Sequence, residues 1–334
     1  MKKLVSFVLL TATLLGVLSC NRGPRKPLLP NVSGKAGEII VVIDRDNWEG
    51  NLGNAVRDIL AGDCPYPAQK EALFTIANVT PTGFADLFKV HRNILIFNID
   101  PQGQEEGVIY RNDVWAHPQC VIQVNAFDND GALRIMNENA DRIANAVEQA
   151  ERDRIIANAK LYEEANLAKI VTEMVGGSPH FPSGYKLKKR TDNFIWIADE
   201  KQYTNQGILI YSYPADDNPF TLEKIIAHRN AALKANVPGM FENTWMTTGD
   251  YPAPYVEYLK YRGRNFAQVR GWWEVENDYM AGPFVSQSFY SRDGSRIIVA
   301  EAFLYAPKYD KRQYLRQVVS LLFSWDWTED SSKK

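Results

Sequence analysis

The run Arg296-Ile297-Ile298-Val299-Ala300-Glu301-Ala302-Phe303-Leu304-Tyr305 decides how the second half of this chain is read. Strand side chains alternate between two faces, so Glu301 falls with Ile297, Val299, Phe303 and Tyr305. Either that carboxylate is buried or this face is not the core. An isolated buried ion costs several kcal/mol, so burial requires a cation nearby. Two arginines stand inside apolar patterns. Arg229 interrupts a helical stripe, and Arg270 shares a strand face with Trp272 and Glu274. At least one of them is expected to pair with Glu301. The pair is then either structural, sealed beneath helices, or part of a site that binds an anion or uses the carboxylate.

Outward from this run the sequence continues β-rich. Tyr185 to Lys189, Phe194 to Ala198, Gly207 to Tyr213, Tyr255 to Tyr261, Ala267 to Val275 and Phe284 to Tyr290 read as strands, several of them adjoining in antiparallel meanders. Leu222, Ile225, Ile226, Arg229 and Leu233 share one helical face; Leu315, Val318, Val319, Leu322 and Phe323 share another. Both helices are expected on one face of the sheet. Trp272 and Trp273 are adjacent and must point to opposite faces, so one is expected at the surface or in a groove. Aromatics beside Arg and Glu suit a glycan or a protein interface as well as a core.

The first half alternates strand and helix. Ile39 to Ile43, Phe74 to Val79, Ile94 to Ile99 and Val121 to Phe127 are strand runs, separated by helical stretches such as Leu52, Val56, Ile59 and Leu60. A long helical region follows and ends at Gly176-Gly177. The fold class is therefore α+β: an N-terminal α/β layer with a long helical region over 38–177, then a mainly antiparallel sheet packed by two helices over 178–327. Residues 328–334 form a polar tail.

Lys2 and Lys3 precede an apolar run from Leu4 to Val17, too short for a bilayer span of about 20 residues. Val17-Leu18-Ser19-Cys20 resembles the box cut by the lipoprotein signal peptidase. Residues 1–19 are thus expected as an export signal, and Cys20 as the lipid-modified first residue of the mature chain. Residues 20–37, rich in proline and basic side chains, read as a tether reaching about 50 Å as polyproline. Known surface-exposed lipoproteins of some Gram-negative groups resemble one another in an acidic patch just after the cysteine; this tether is basic instead, and that analogy implies a body in the periplasm, held by acyl chains to a membrane, with the outer membrane preferred.

With 334 residues, 45% of them hydrophobic and 12% aromatic, the chain can build one large or two ordinary domains. Its formal charge of −2 argues against a nucleic-acid partner. No phosphate-binding glycine loop, nucleophile elbow or zinc motif occurs, and no cofactor is expected. His91, His117, His180 and His228 never recur at metal-ligand spacing. Asp44 and Asp100 follow strand runs, where ligands gather in open α/β sheets, yet acids there also cap helices. Asp128 heads a turn cluster of the same kind. Besides Cys20 only Cys64 and Cys120 occur; a bridge would close a loop of about 57 residues and stabilise by about 4 kcal/mol. Spacing does not decide whether they pair.

Tyr185, Asp192-Asn193-Phe194-Ile195-Trp196, Gln206-Gly207, Tyr211-Ser212-Tyr213, Met246-Thr247-Thr248, Arg270-Gly271, Met280-Ala281-Gly282-Pro283-Phe284-Val285-Ser286, Tyr305-Ala306-Pro307 and Tyr314-Leu315-Arg316-Gln317 together resemble an uncharacterised family of bacterial envelope lipoproteins. The resemblance covers nearly all of the mature chain and implies no activity. The expected role is a non-catalytic binding or assembly accessory in the envelope, with a protein or glycan partner. The competing expectation is a hydrolase acting through Glu301 or Glu274; a plain structural spacer is a third.

Overall fold

The computed structural model describes residues 28–65 and 70–328. The signal segment, Cys20 and most of the polar tail lie outside the described residues.

Four strands of the first half run parallel: Glu38–Val42 (β1), Thr75–Val79 (β2), Asn93–Ile99 (β3) and Cys120–Ala126 (β5). Gly107–Asn112 (β4) adds an antiparallel edge, in the order β2-β1-β3-β5-β4. The connecting helices are Arg45–Glu49 (α1), Asn51–Leu60 (α2) and Asp86–Lys89 (α3); Asn129–Glu138 (α4) and Ala140–Leu161 (α5) follow β5. Ile39, Val41, Leu95, Ile122 and Val124 pack against α2, α4 and the start of α5. Ile40, Val42, Ile94 and Val121 pack the other face against Phe84, Phe88 and Trp115. Strands covered on both sides read as continuous apolar runs. The exposed edge strand β4 carries no such run, and its sequence does not announce it. Asp44 and Asp128 are helix caps, accepting from Asn47 N at 2.9 Å and Gly131 N at 2.7 Å.

The expected tether is shorter than 20–37. His117 N donates to Pro30 O at 2.8 Å, Ser33 N donates to Val90 O at 2.8 Å, and Asn31 and Ser33 bridge His117 and His91. Residues 30–37 therefore belong to the folded body.

In the second half, Lys186–Arg190 (β7), Phe194–Lys201 (β8), Thr204–Pro214 (β9), Met246–Thr248 (β10), Arg264–Val275 (β12), Ala281–Tyr290 (β13) and Arg296–Tyr305 (β14) form one antiparallel sheet in the order β10-β12-β13-β14-β9-β8-β7. Tyr255–Tyr261 (β11) pairs with β12 as its eighth strand. Strand β14 lies between β13 and β9, and Phe303 faces Gly207, where an added Cβ would stand 2.0 Å from the ring. Ala165–Val175 (α6) precedes the sheet, Leu222–Asn236 (α7) interrupts it and Arg312–Leu322 (α8) follows it. A two-residue clip of Gly177–Ser178 (β6) with Asp326–Trp327 (β15) ties the end of the described chain back to α6.

The two helices do not share a face. Leu315, Val318, Val319 and Leu322 of α8 join α6 and the end of α5 over Ile197, Ile208, Ile298 and Ala300. On the opposite face α7 packs Ile225 and Leu233 over Leu209, Val299, Trp273 and Phe303. Strand β14 is apolar at successive positions because both of its faces are covered. Helix α5 also shifts the expected boundary: Ile143 and Val147 belong to the first core, Ile156 and Ala159 to the second, and α6 packs wholly with the second sheet. The halves therefore meet along α5, and the break falls where that helix ends instead of at Gly177.

Helix α8 is seated against the first half by polar contacts. Glu71 accepts from Lys311 N at 2.6 Å and Arg312 N at 2.8 Å, capping the helix from outside its own half. Arg316 Nη2 reaches Leu73 O at 3.0 Å, and Gln313 bonds Ala36 O. Replacing Glu71 by Ala strips this cap and should lower stability by about 1–2 kcal/mol. Urea unfolding measures it; a midpoint unchanged within error would show that α8 does not rely on Glu71.

Candidate functional site

Alternation along β14 brings Glu301 under α7, where the one-face pattern of that helix carries Arg229. Arg229 Nε donates to Glu301 Oε2 at 2.9 Å and Nη2 to Oε1 at 2.8 Å. Nη1 donates to Thr248 Oγ1 at 2.7 Å, and the guanidinium lies 3.7 Å over the Phe284 ring. Both side chains are 0% exposed. Burial pushes the Glu301 carboxyl up while Arg229 pulls it down, with burial the larger effect. Both carboxylate oxygens are occupied and sealed from solvent, so Glu301 cannot meet a substrate. The expected pairing with an arginine holds, and it is the structural pair beneath a helix.

The other candidates are split by the sheet. Trp273 joins the α7 face, fully buried, with Nε1 donating to Leu304 O at 3.2 Å. Trp272, half-buried, and Glu274, exposed, point the opposite way with Arg270. The adjacent tryptophans do take opposite faces, but Arg270 and Glu301 are never brought together.

What Arg270 meets instead is the seam between the halves. A cleft of about 250 Å³ is lined by Cys64 and Leu73 from the first half, Glu148 and Arg152 from α5, Arg270 from β12, and Arg312 and Arg316 from α8. Four guanidinium groups thus converge from three elements upon one lining carboxylate. That carboxylate is already engaged: Glu148 accepts from Arg316 Nε at 3.0 Å on each oxygen. Arg316 is saturated, its Nη1 bonding Gln313 Oε1 at 3.0 Å. Arg152 donates to Gln149 Oε1 at 2.9 Å and stacks 3.9 Å over Phe323; burial lowers its pKa, and Arg270 lowers it further. Arg312 binds Thr75 Oγ1 at 3.2 Å, while its Nε is enclosed with no acceptor. Arg270, half-buried, makes no hydrogen bond or ion pair among the described residues. Such an arrangement suits an anion, because fork-shaped guanidinium groups donate in pairs to carboxylate or phosphate oxygens.

Cys64 and Cys120 are not bonded. Cys120 is buried on the first sheet's core face, while Cys64 lines the cleft, so the bridge that spacing left open is not formed. Burial raises both thiols to about 11. Cys64 is therefore protonated at neutral pH and is no activated nucleophile. Among the described residues no group of three or more His, Cys, Asp or Glu side chains is placed to hold a metal.

Arg152, Arg312, Arg316 and Glu148 were not singled out by pattern. One local signal existed: Arg312 and Arg316 stand four apart on a helix, a like-charge spacing that is unfavourable without an anion or acid nearby. Their partners Arg152 and Arg270 lie far away in sequence, and only the packing of α5 and β12 against α8 assembles the set.

Residues 164–324 match the family model of a domain of unknown function, DUF4837, and residues 32–160 match that of a second, DUF8532. The gap between the two matches coincides with the end of α5. The resemblance to an uncharacterised domain family is borne out; neither match speaks to lipid modification. No curated protein matches the chain. A crystal structure from Bacteroides thetaiotaomicron is similar at 7% sequence identity, with a TM-score of 0.26, over 48% of this chain and 47% of that one. The chain thus spans about half the length of that structure.

Changing Glu301 to Gln leaves a buried guanidinium short of its counter-charge and should cost about 3–5 kcal/mol. Denaturant unfolding reads this directly. Replacing both partners, Arg229→Met with Glu301→Leu, should recover most of the loss, and a double variant as weak as the single one would contradict a purely structural role.

Proposed function

We propose that this chain, which carries two domains of unknown function, DUF8532 followed by DUF4837, is a membrane-tethered binding protein of the cell envelope that holds an anionic ligand between its halves. The observation that carries the reading is Arg270: a half-buried guanidinium beside a second arginine, facing a cleft, without a side-chain acceptor among the described residues. A charge kept in that position costs free energy unless something negative arrives. The cleft lies between two packed units, where small-molecule sites concentrate. Its excess of positive charge stands out in a chain whose formal charge is −2. A carboxylate or phosphate group of modest size suits the space of about 250 Å³.

A binding role fits these residues better than hydrolysis. Glu301 is locked by Arg229, Glu148 by Arg316, and the Cys64 thiol is protonated. Among the described residues lining the cleft no unengaged carboxylate or imidazole stands ready as a general base. The envelope address rests on the amino-terminal sequence: a signal core, the box ending at Cys20, and a basic segment that favours an anionic membrane surface. Residues 30–37 are docked on the body, which leaves the residues before Pro30 to serve as the proposed tether.

Two measurements test this. Inorganic phosphate, compared with chloride at equal ionic strength, should raise the melting temperature of the parent through preferential binding to the folded state. Arg270→Ala should abolish that increment while leaving the unfolding free energy in chloride within about 0.5 kcal/mol of the parent. An equal phosphate increment in parent and variant would remove the cleft from the reading. Separately, Cys20→Ser should leave the precursor unprocessed or release the protein from the membrane fraction; normal processing and retention would overturn the anchored half of the proposal.

A further inference from the structure

A second cavity, about 450 Å³, opens where the turn between β11 and β12 meets the segment after α8. Its walls are aromatic: Tyr261, Phe323, Trp325 and Trp327, with Trp325 and Trp327 edge to face at 5.6 Å. Its charges are Arg262, Arg264 and Arg292, and no carboxylate lines it. Arg264 is the informative one. Its guanidinium lies 4.4 Å over Phe289 and 5.6 Å over Trp325. Nη2 donates to Gln287 Oε1 at 2.9 Å and to Leu322 O at 3.0 Å, while Nη1 is enclosed without an acceptor. Among the described residues no acid pairs with it. Burial alone pushes it down to about 10.

The nearby acids are committed elsewhere. Asp153 meets Arg262 at 3.4 Å on the exposed rim, and Asp293 accepts from Ser291 Oγ at 2.6 Å and Ser295 Oγ at 2.8 Å. Arg292 reaches only the face of Trp327, at 5.5 Å. The neutral Nε1 of Trp325 is also enclosed without a partner. The surroundings thus offer positive charge without a paired acid and flat ring faces together. The volume falls within the range of about 300–1,000 Å³ common to ligand pockets.

We propose that this cavity binds an acidic saccharide, its carboxylate offsetting the charge of Arg264 and Arg292 and the apolar face of its ring lying on Trp327. A simple anion would use the arginines and leave the aromatic walls without purpose; a neutral sugar would use the walls and leave the buried charge. An acidic ring uses both. The site is distinct from the cleft between the halves. Strands rise about 3.3 Å per residue, so the Cα atoms of Arg264 and Arg270 stand about 20 Å apart along β12. The stack of Arg152 on Phe323 separates the two spaces.

The test is calorimetric titration with digalacturonate, its carboxyl-reduced neutral counterpart, and acetate. Digalacturonate is expected to bind, with the neutral disaccharide and acetate each weaker by at least about tenfold, the equivalent of 1.4 kcal/mol. Arg264→Gln should show the same tenfold loss. Arg292→Ala, whose side chain is exposed and whose folding is not at stake, should weaken binding as well. Arg270→Ala should bind digalacturonate as the parent does, and loss in that variant would move the sugar to the other cleft and overturn this assignment. No binding by the parent, equal binding of acid and neutral sugar, or undiminished binding by both Arg264→Gln and Arg292→Ala would also overturn it.

Discussion

The arrangement of the molecule depends on what α5 does with two carboxylates. Glu151, 1% exposed, accepts from Arg92 at 2.8 Å, Asn93 Nδ2 at 2.8 Å and Arg154 at 3.0 Å, all serving the first sheet. Glu148, three residues earlier, accepts from Arg316 on α8. One helix thereby carries an ionic anchor to each half, less than a turn apart, where a 22-residue helix about 33 Å long passes from one apolar core to the other. An apolar contact between halves can slide. A buried carboxylate with three named donors cannot move without leaving a charge unpaired, at a cost of several kcal/mol. The relative placement of α8 and the first sheet, and with it the cleft, follows from that constraint.

The same physics separates structural charge from binding charge. Arg229 and Glu301 satisfy each other in a fully closed space, and Thr248 takes the remaining donor. Arg316 is equally complete. Arg270 and Arg264 are not: each is withdrawn from water, neither has an acid, and both open on a cavity. A fold has ample means of neutralising an arginine, as Arg229, Arg316, Arg92 and Arg154 demonstrate in this chain. Positions without an ion pair among the described residues beside open space, Arg270 and Arg264 among them, are therefore informative about ligands in a way that the saturated ones are not.

Much of the fold was legible because each signal was local. The longer strands with an apolar side announced themselves, including β14, whereas three-residue β10 with its buried Met246 did not; Asp44 and Asp128 are caps, as their positions allowed. Glu301 within β14 and Arg229 within the stripe of α7 were enough to foresee a pair. What stayed hidden was set by distance or by side. Strand alternation assigns residues to two faces without saying which helix covers which, so α7 and α8 were expected together and lie apart. Edge strand β4 has no buried side and hence no pattern. Residues 30–37 are polar and proline-bearing, indistinguishable by composition from a tether, yet their backbone groups find partners in the segments just before β3 and β5. The cleft was least legible, since Arg152, Arg270 and Arg316 acquire a shared meaning only after three elements meet.

Closing that cleft on an anion has consequences beyond affinity. Arg312 and Arg316, which line it, also hold the first half through Thr75, Leu73 and the region of Glu71. An anion bound between Arg270 on the second sheet and these two side chains adds attraction along the same seam that already joins the halves. Its binding free energy therefore appears as inter-half stability, by the linkage that ties any ligand of the folded state to unfolding. Conversely, loosening the seam lowers affinity without touching a ligand-facing group, since only the assembled cleft is competent and the apparent dissociation constant scales inversely with its population. In the proposed site Arg312 both lines the cleft and docks α8 through Thr75, so anion binding beside Arg270 and assembly of the seam would be linked.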